Sequence, residues 1–219
     1  MGTITRSLAN NITTGGVILP AGITNSSVSA VTSFANASGG TLTLLSTQTA
    51  SASATISFTT GLNSTYDEYI FKFINVRPAT DNANFEFNMS TDSGSNYNVT
   101  KTTTSFRAIH DEADTDTEIV YRTSNDLAQS TSFQHLSAFI GNGADENVSG
   151  TLQLFNPSST TYVKHFISNF NCYQSSDYSV NWVMAGYGNT TSAVNALRFQ
   201  MSSGNIADGV FKLYGVKKS

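Results

Sequence analysis

The sequence predicts an all-β protein made of antiparallel strands, and three observations support this prediction. Charged residues make up 12% of the 219 residues, and Ser, Thr and Asn together supply roughly a third of the chain, far above ordinary usage. Large apolar and small polar residues alternate along many short stretches, as they do in strands that bury one face. Turn residues such as Asp92-Ser93-Gly94 separate these stretches. Thr favours strands and Asn and Ser favour turns, whereas all three suit helices poorly.

The first 45 residues differ from the rest and predict an extended N-terminal arm. Arg6 is the single charged residue of this stretch and Phe34 is its single aromatic residue. No period of 2 or 3.6 persists, and such a segment cannot bury enough apolar surface alone to offset its ordering entropy. We therefore expect residues 1–45 to be an assembly or anchoring arm and residues 46–219 to be the β domain. The arm residues expected to make the contacts are Leu8, Ile12, Val17, Ile18 and Leu19.

Twelve stretches of the β domain carry the strand signal, with Val, Ile, Thr, Phe and Tyr at roughly alternate positions. In chain order they are TLTLLSTQ, ATISFTT, EYIFKFINV, NFEFNMST, NYNVTKTTTSFRAI, TEIVYRTS, FQHLSAFIG, SGTLQLFN, TYVKHFISNFNCY, YSVNWVMAGY, NALRFQMSS and GVFKLYGV. The one plausible helical turn is DLAQSTSFQHL, from Asp126 to Leu136. Eight to ten strands of this length suffice for two sheets, so we expect an antiparallel jelly-roll-type β-sandwich.

Side-chain parity indicates which faces are buried. Phe85, Phe87 and Met89 share one face of their strand, with polar residues opposite, which is typical of a strand buried on one side. EYIFKFINV differs because it is largely apolar on both faces, with Tyr69, Phe71, Phe73 and Asn75 on one face and Ile70, Lys72, Ile74 and Val76 on the other. We expect this segment to be a central or interface strand.

The sequence predicts no metal site and no cofactor. The densest charge run, HDEADTDTE from His110 to Glu118, lacks the glycine and the bidentate Glu spacing of a calcium loop. We expect a solvated acidic loop between two strands there. His135 and His165 lack the partner spacing of zinc ligands, so structural imidazoles are expected at both positions.

The sequence also predicts no enzyme. Cys172 lies in a strand-like context without an evident base, which favours a small buried thiol over a nucleophile. No nucleophile elbow, phosphate loop or dinucleotide fingerprint occurs. Asp145 and Glu146 lie in GNGADENVSG, which is typical of a hairpin loop. A glycan-cleaving enzyme remains an alternative that would need two carboxylates at a set separation in a cleft.

Aromatic residues leave two interpretations open. Trp182 and Tyr187, with Tyr173 and Tyr178, could stack on sugar rings and so bind a glycan. The favoured interpretation of Trp182 is that it belongs to the core, because Trp is mostly buried on average.

Charge argues against a nucleic-acid partner. The net charge is −4, and Lys217-Lys218 is the only adjacent pair of basic residues. Capture of nucleic acid needs several Lys or Arg on one face. No stretch has the length and apolarity of a membrane span or a signal peptide, so no membrane association is expected.

Four stretches resemble the small virion structural proteins of marine tailed bacteriophages, including those that infect cyanobacteria. They are MGTITRSLANNITTGGVILPAGI, FKFINVRPATDNANFEFNMSTDSGSNYN, LFNPSSTTYVKHF and GNIADGVFKLYGVKK. The resemblance spans nearly the whole chain and implies a jelly-roll-like domain that coats the head or forms part of the tail or fibre. It also implies self-assembly, commonly as a homotrimer, and no active site.

On this basis we expect a protein of the virion, assembled in the host cytoplasm. The expected role is that of a head decoration, or cement, protein that stabilises the capsid through its N-terminal arm, with the major capsid protein as a partner. The alternative is a tail-fibre or receptor-binding module that contacts a host surface glycan.

Overall fold

The computed structural model describes residues 41–218. The five residues expected to make the arm contacts, Leu8, Ile12, Val17, Ile18 and Leu19, lie outside these residues, so the arm stays a prediction. The first strand begins at Leu42.

All twelve predicted strand segments form strands, every strand pairing is antiparallel, and residues 41–218 contain no helix. The all-β prediction is therefore confirmed. The strands are β1 (Leu42–Ser53), β2 (Ile56–Phe58), β3 (Glu68–Pro78), β4 (Ala83–Ser90), β5 (Lys101–Asp111), β6 (Thr117–Tyr121), β7 (Gln134–Ile140), β8 (Val148–Phe155), β9 (Lys164–Gln174), β10 (Tyr178–Gly188), β11 (Ala196–Met201) and β12 (Ile206–Val216).

The strands pair into one nearly closed, barrel-like sheet that consists of two runs. The long run has the order β1-β12-β3-β8-β9-β10-β5-β6, and the short run has the order β2-β11-β4-β7. One residue pair of β7 and β9, Ile140 with Gln174, joins the two runs through the backbone. Nearly all of the ladder hydrogen bonding therefore lies within a run rather than between runs.

Phenylalanine rings fill the space between the two runs. Phe199 of β11 lies 4.9 Å from Phe73 of β3 and 6.1 Å from Phe211 of β12, centroid to centroid. Phe87 of β4 likewise contacts Phe166 of β9 at 5.0 Å. These side chains are fully buried or nearly so. Because edge-on and tilted ring pairs add to the gain from burying each ring, this cluster is the main apolar contact between the runs.

Strand β3 has the central position that its apolar faces predict, since it pairs with β12 on one side and β8 on the other. One side-chain assignment in this strand is wrong. Val76 is completely buried, and Asn75 is exposed. Asn75 adopts a left-handed φ of 51° at an irregularity in the pairing with β8, and this extra residue reverses the alternation of side chains.

Strand β4 is buried on both faces rather than one. Phe85, Phe87 and Met89 lie in the core as predicted, but Asn88 on the opposite face is also fully buried. The Asn88 amide donates hydrogen bonds to the carbonyls of Tyr97 and Thr131. Connecting segments that run past β4 therefore cover the face that sequence parity assigns to solvent.

Two predictions for connecting segments are also wrong. The segment 126–136 forms no helical turn, because the Leu127 carbonyl accepts a hydrogen bond from the Thr103 amide and Ser130 exchanges two backbone hydrogen bonds with Lys101. Residues from Gln134 onward belong to β7. The segment GNGADENVSG is a loop but not a hairpin, because β7 and β8, which it connects, belong to different runs. In both cases distant backbone partners decide the local structure.

The two ends of the described domain lie side by side. Strands β1 and β12 pair along most of their lengths, from Leu42 with Val216 to Ser53 with Ile206. Beyond this ladder the Lys217 amide donates to the Thr41 carbonyl at 2.9 Å. The chain therefore enters and leaves the domain at one corner.

Replacing Phe199 with alanine should lower the free energy of unfolding by about 3–5 kcal/mol, because the substitution leaves a cavity where the two runs meet. Chemical denaturation measures this loss. Tyr162→Ala is the matched control, since Tyr162 is 69% exposed, and it should change stability by less than about 0.5 kcal/mol. Similar effects of the two substitutions would contradict the assigned role of the phenylalanine cluster.

Candidate functional site

The outer face of the long run carries a band of apolar side chains. Alternation along β9, β10 and β5 places these residues between more buried positions, and β6 adds Ile119 and Tyr121 on either side of the half-buried Val120. Strand pairing aligns the residues across the sheet. Phe106 is 43% exposed, Ile167 is 46% exposed and Ile119 is 83% exposed. We call this band the apolar strip; its members are Ile167, Ala185, Val183, Phe106, Tyr121 and Ile119.

A shallow groove adjoins the apolar strip, and its volume is about 440 Å³. The rings of His165 and Tyr187 form part of its wall, with their centroids 6.0 Å apart. Thr102 and Thr104 contribute hydroxyl groups. The full lining is Thr102, Thr103, Thr104, Phe155, His165, Phe166, Ile167, Ala185, Gly186 and Tyr187. The groove therefore combines aromatic faces with a few hydrogen-bonding groups.

The structure separates the two residues predicted to stack on a glycan. Trp182 is completely buried, with the Arg107 guanidinium 5.7 Å from the centre of its ring. It belongs to the core, as the favoured interpretation holds, and its ring is closed to a glycan. Tyr187 is half-buried and borders the groove. Of this pair, Tyr187 alone has a surface that a ligand can reach.

The tyrosines at the end of β9 and the start of β10 bind acidic side chains of nearby turns. The Tyr173 hydroxyl lies 3.3 Å from Asp177 Oδ1, and the Tyr178 hydroxyl lies 3.1 Å from Asp116 Oδ2. Burial raises the pKa of Tyr173 to about 12, and a hydrogen bond to Glu112 is the second cause of this increase. These hydroxyls therefore donate to carboxylates and hold two turns together.

The acidic run forms the loop between β5 and β6, as predicted. Asp111 organises this loop, because its carboxylate accepts hydrogen bonds from the Thr115 hydroxyl and from the amides of Thr115 and Asp116. These bonds, first of all that from Thr115, lower the pKa of Asp111. Residues 41–218 contain no group of three or more His, Cys, Asp or Glu side chains arranged to hold a metal ion.

The two strand histidines differ in their surroundings. His135 is hydrogen-bonded through both ring nitrogens, with Nε2 3.0 Å from Glu86 Oε1 and Nδ1 2.9 Å from the Asn125 amide nitrogen. This is the structural imidazole that the sequence predicts. His165 is exposed and lies against Tyr187 in the groove wall. Its place there had no signal in the sequence beyond its position in a strand.

Cys172 is the small buried thiol that the sequence predicts. Its side chain is 1% exposed, and Sγ lies 4.0 Å from the Ala138 carbonyl oxygen. Burial raises the pKa of the Cys172 thiol from 9.0 to about 11. Near neutral pH the thiol is protonated, and the protonated form is a poor nucleophile.

The Asp145–Glu146 pair lies in the crossing between β7 and β8. The Glu146 carboxylate accepts a hydrogen bond from the amide of Gly143 and so closes its own loop. Glu146 therefore stabilises the conformation of this loop.

Two buried lysines were missed by sequence reasoning. Lys101 and Lys164 are fully buried, and both face Gly188 across strand pairs, at the ends of β5 and β9. The Lys164 ammonium donates to the Tyr162 and Thr190 carbonyls at 2.6 and 3.3 Å. A lysine in a polar stretch is ordinarily exposed, so the sequence contains no signal for this burial.

Comparison of the chain with family models, with curated proteins and with solved structures finds no match. Within residues 41–218 no helix has the length and apolarity needed to cross a membrane. The proposals below therefore depend on the strand order and on the surfaces described above.

Stability should fall between pH 9 and pH 11 because of Cys172. The folded state keeps the thiol proton up to about pH 11, whereas an ordinary thiol loses it near pH 9.0. The unfolded state therefore binds fewer protons than the folded state between pH 9 and pH 11. The free energy of unfolding falls by up to about 2–3 kcal/mol as the pH rises through this window. Below pH 9 the stability contributed by the buried, protonated thiol is fully present.

Denaturant titrations at several pH values measure this effect, with Cys172→Ala as the reference. The two proteins share every other side chain, so the difference between the two stability curves isolates the thiol. Parallel curves from pH 8 to pH 11 would contradict the assigned burial. A thiol reagent should also fail to modify the folded protein at pH 8 and should modify it after denaturation.

Proposed function

We propose that this protein is a structural component of a tailed-bacteriophage virion and that it decorates the head. The observation that carries this proposal is the apolar strip. Single exposed apolar residues are ordinary on a protein surface, whereas contiguous apolar patches mark contacts with partners. The proposed partners are further copies of this chain, as a homotrimer, and the major capsid protein.

The strand order supports an elaborated jelly roll as the architecture of such a unit. A jelly roll contains two four-stranded sheets, and β1-β12-β3-β8 with β2-β11-β4-β7 has the corresponding order. The connections from β1 to β2, β3 to β4, β7 to β8 and β11 to β12 each change from one group to the other. In this proposal β5-β6 and β9-β10 are two inserted hairpins that extend the first sheet and carry the apolar strip.

The surface around the apolar strip suits a contact between identical neighbours. Asn169, Asn171 and Asn181 lie on the same outer face, next to the strip. Asn181 Nδ2 donates to Asn169 Oδ1 at 2.9 Å, and because each carboxamide has two donor hydrogens and an oxygen that accepts twice, the group can also bond to a neighbour. Such groups can pair with a copy of themselves, whereas a surface of one charge would repel its copy. The proposed trimer contact therefore buries the strip and pairs amides at its border.

The proposed arm, now limited to residues that precede β1 because Leu42 already pairs with β12, adds a second attachment. Burial of its aliphatic residues on the shell would supply about 25 cal/mol for each Å² of apolar surface removed from water. Contacts that are individually modest add up when a trimer engages three sites at once. In this proposal the arm fixes the trimer to the capsid, and the strip holds the trimer together.

Quantitative mass spectrometry of purified particles tests the function. We expect this chain at an abundance comparable with that of the major capsid protein. A far lower abundance, typical of a vertex or tail component, would contradict a decoration role. Absence from particles would contradict the virion assignment.

Introducing charge into the apolar strip should block self-association without unfolding the domain. The variants Ile167→Asp and Phe106→Asp place carboxylates at exposed positions, so folding should persist, whereas burial in an interface would be costly. Light scattering should give a trimer mass for the wild type and a monomer mass for each variant. Ser203→Asp is the control, because Ser203 is exposed on a turn distant in the strand order, and it should remain trimeric. A monomeric wild type would contradict the proposed use of the strip.

The groove favours a second candidate, a tail-fibre or receptor-binding module that contacts a host surface glycan. Its aromatic wall of Tyr187 and His165 could pack against the apolar face of a sugar ring, and the Thr102 and Thr104 hydroxyls could bind sugar hydroxyls. The volume of about 440 Å³ lies within the range of small-molecule sites.

Binding to an array of bacterial surface glycans tests this candidate. Wild-type protein should bind a defined set, and Tyr187→Ala should weaken binding about tenfold or more, as the loss of one aromatic contact would. Tyr162→Ala is the control, since Tyr162 is 69% exposed and does not line the groove. An equal loss of glycan binding in both variants, or no binding by the wild type, would contradict the glycan-binding function.

A further inference from the structure

The most unusual contact in the described domain joins Lys101 and Asn88. Lys101 begins β5, Asn88 lies near the end of β4, and both side chains are completely buried. The Lys101 Nζ atom lies 2.6 Å from Asn88 Oδ1 and 2.9 Å from the Val99 carbonyl oxygen. Among the described residues no carboxylate forms an ion pair with this amine.

A buried ammonium group without a carboxylate partner is energetically costly. Desolvation lowers the pKa of Lys101 from 10.5 to about 7. A substantial fraction of the amine is therefore neutral near neutral pH. A neutral amine carries the free electron pair that a nucleophile needs, and buried lysines in enzymes gain their reactivity in this way.

The carboxamide of Asn88 is held in a fixed orientation. Its Nδ2 atom donates to the carbonyl oxygens of Tyr97, at 2.7 Å, and Thr131, at 2.9 Å. Its Oδ1 atom accepts a hydrogen bond from the Met89 amide at 2.8 Å. An amide donor at this oxygen stabilises the negative charge that develops when a nucleophile adds to the carbonyl carbon. The Lys101 amine is thus positioned beside a polarised carbonyl group.

We propose that Lys101 and Asn88 form an intramolecular amide bond. The electron pair of Nζ attacks Cγ of Asn88, the bond between Cγ and Nδ2 breaks, and Nδ2 leaves as ammonia with the proton that Nζ releases. Neither group is oxidised or reduced, and no other reactant takes part. The product keeps an oxygen on Cγ as acceptor for the Met89 amide, and it replaces a buried titratable amine with a neutral amide.

The proposed bond would add a covalent cross-link between side chains of the two strand runs, which the loops of the chain already connect. Asn88 belongs to β4 in the short run, and Lys101 belongs to β5 in the long run. Strand pairing joins these runs at a single residue pair, Ile140 of β7 with Gln174 of β9. A bond at this position would also close the segment 89–100 into a loop, and closed loops reduce the entropy of the unfolded chain. This inference is independent of the proposed function.

Peptide mapping of the full-length wild-type protein tests the proposal. Cleavage before Asp92 separates Asn88 from Lys101, so a protease that cleaves before aspartate should release Asp81–Thr91 and Asp92–His110 as one linked species. The expected mass is that of the two peptides together, less the mass of one ammonia. Separate, unmodified peptides in the wild-type digest would overturn the proposal.

Two matched variants assign the bond to these atoms. Lys101→Arg keeps a cation but removes the amine, and its two peptides should be released separately. Lys164→Arg alters the other fully buried lysine, whose amine contacts carbonyls and no carboxamide in the described structure, and the linked species should persist. A linked species in Lys101→Arg would overturn the proposal. Succinimide formation at Asn142-Gly143 also releases ammonia, but it cannot be mistaken for the proposed bond because Asn142 lies outside both peptides.

Discussion

The contact between the two strand runs is the interaction on which the rest of the structure depends. Each run satisfies its own ladder hydrogen bonds, so backbone pairing alone would leave two separate sheets with one apolar face each. The rings of Phe73, Phe199 and Phe211 meet across this space and remove both faces from water. Strand order, the buried polar groups and the exposed outer face all follow from which residues this contact encloses.

Much of the fold could be predicted because alternation is a local signal. Each of the twelve strand segments carries its own pattern, and Phe85, Phe87 and Met89 read correctly as core residues. Predictions failed where distant segments decide the outcome. The bulge at Asn75 reverses the parity of Val76, and loops cover the second face of β4. Neither the bulge nor the covering loops can be recognised from the neighbouring sequence.

The candidate site was predictable in part for the same reason. Trp182 and Tyr187 lie on the same strand, and residue type alone does not separate them. Their positions along the strand separate them, because side chains alternate between the two faces of a sheet. Trp182 faces the core, and Tyr187 faces outward to the groove beside His165. Burial of Lys101 could not be predicted, since its acceptors are one backbone carbonyl and one carboxamide that three-dimensional packing brings together. Charge counts and motifs contain no information about such acceptors.

The adjacent chain ends have a mechanical consequence. Because Thr41 and Lys217 are hydrogen-bonded neighbours, tension between the two ends would load the β1–β12 ladder at its last pair first. Hydrogen bonds loaded in this way break one after another, and this requires little force. A load that entered at Thr41 and left at Ile206, the opposite end of β12, would instead pull along β1, so that many hydrogen bonds of the ladder would have to break together. The direction of pull, rather than the free energy of unfolding, would then decide how firmly the domain resists an applied force.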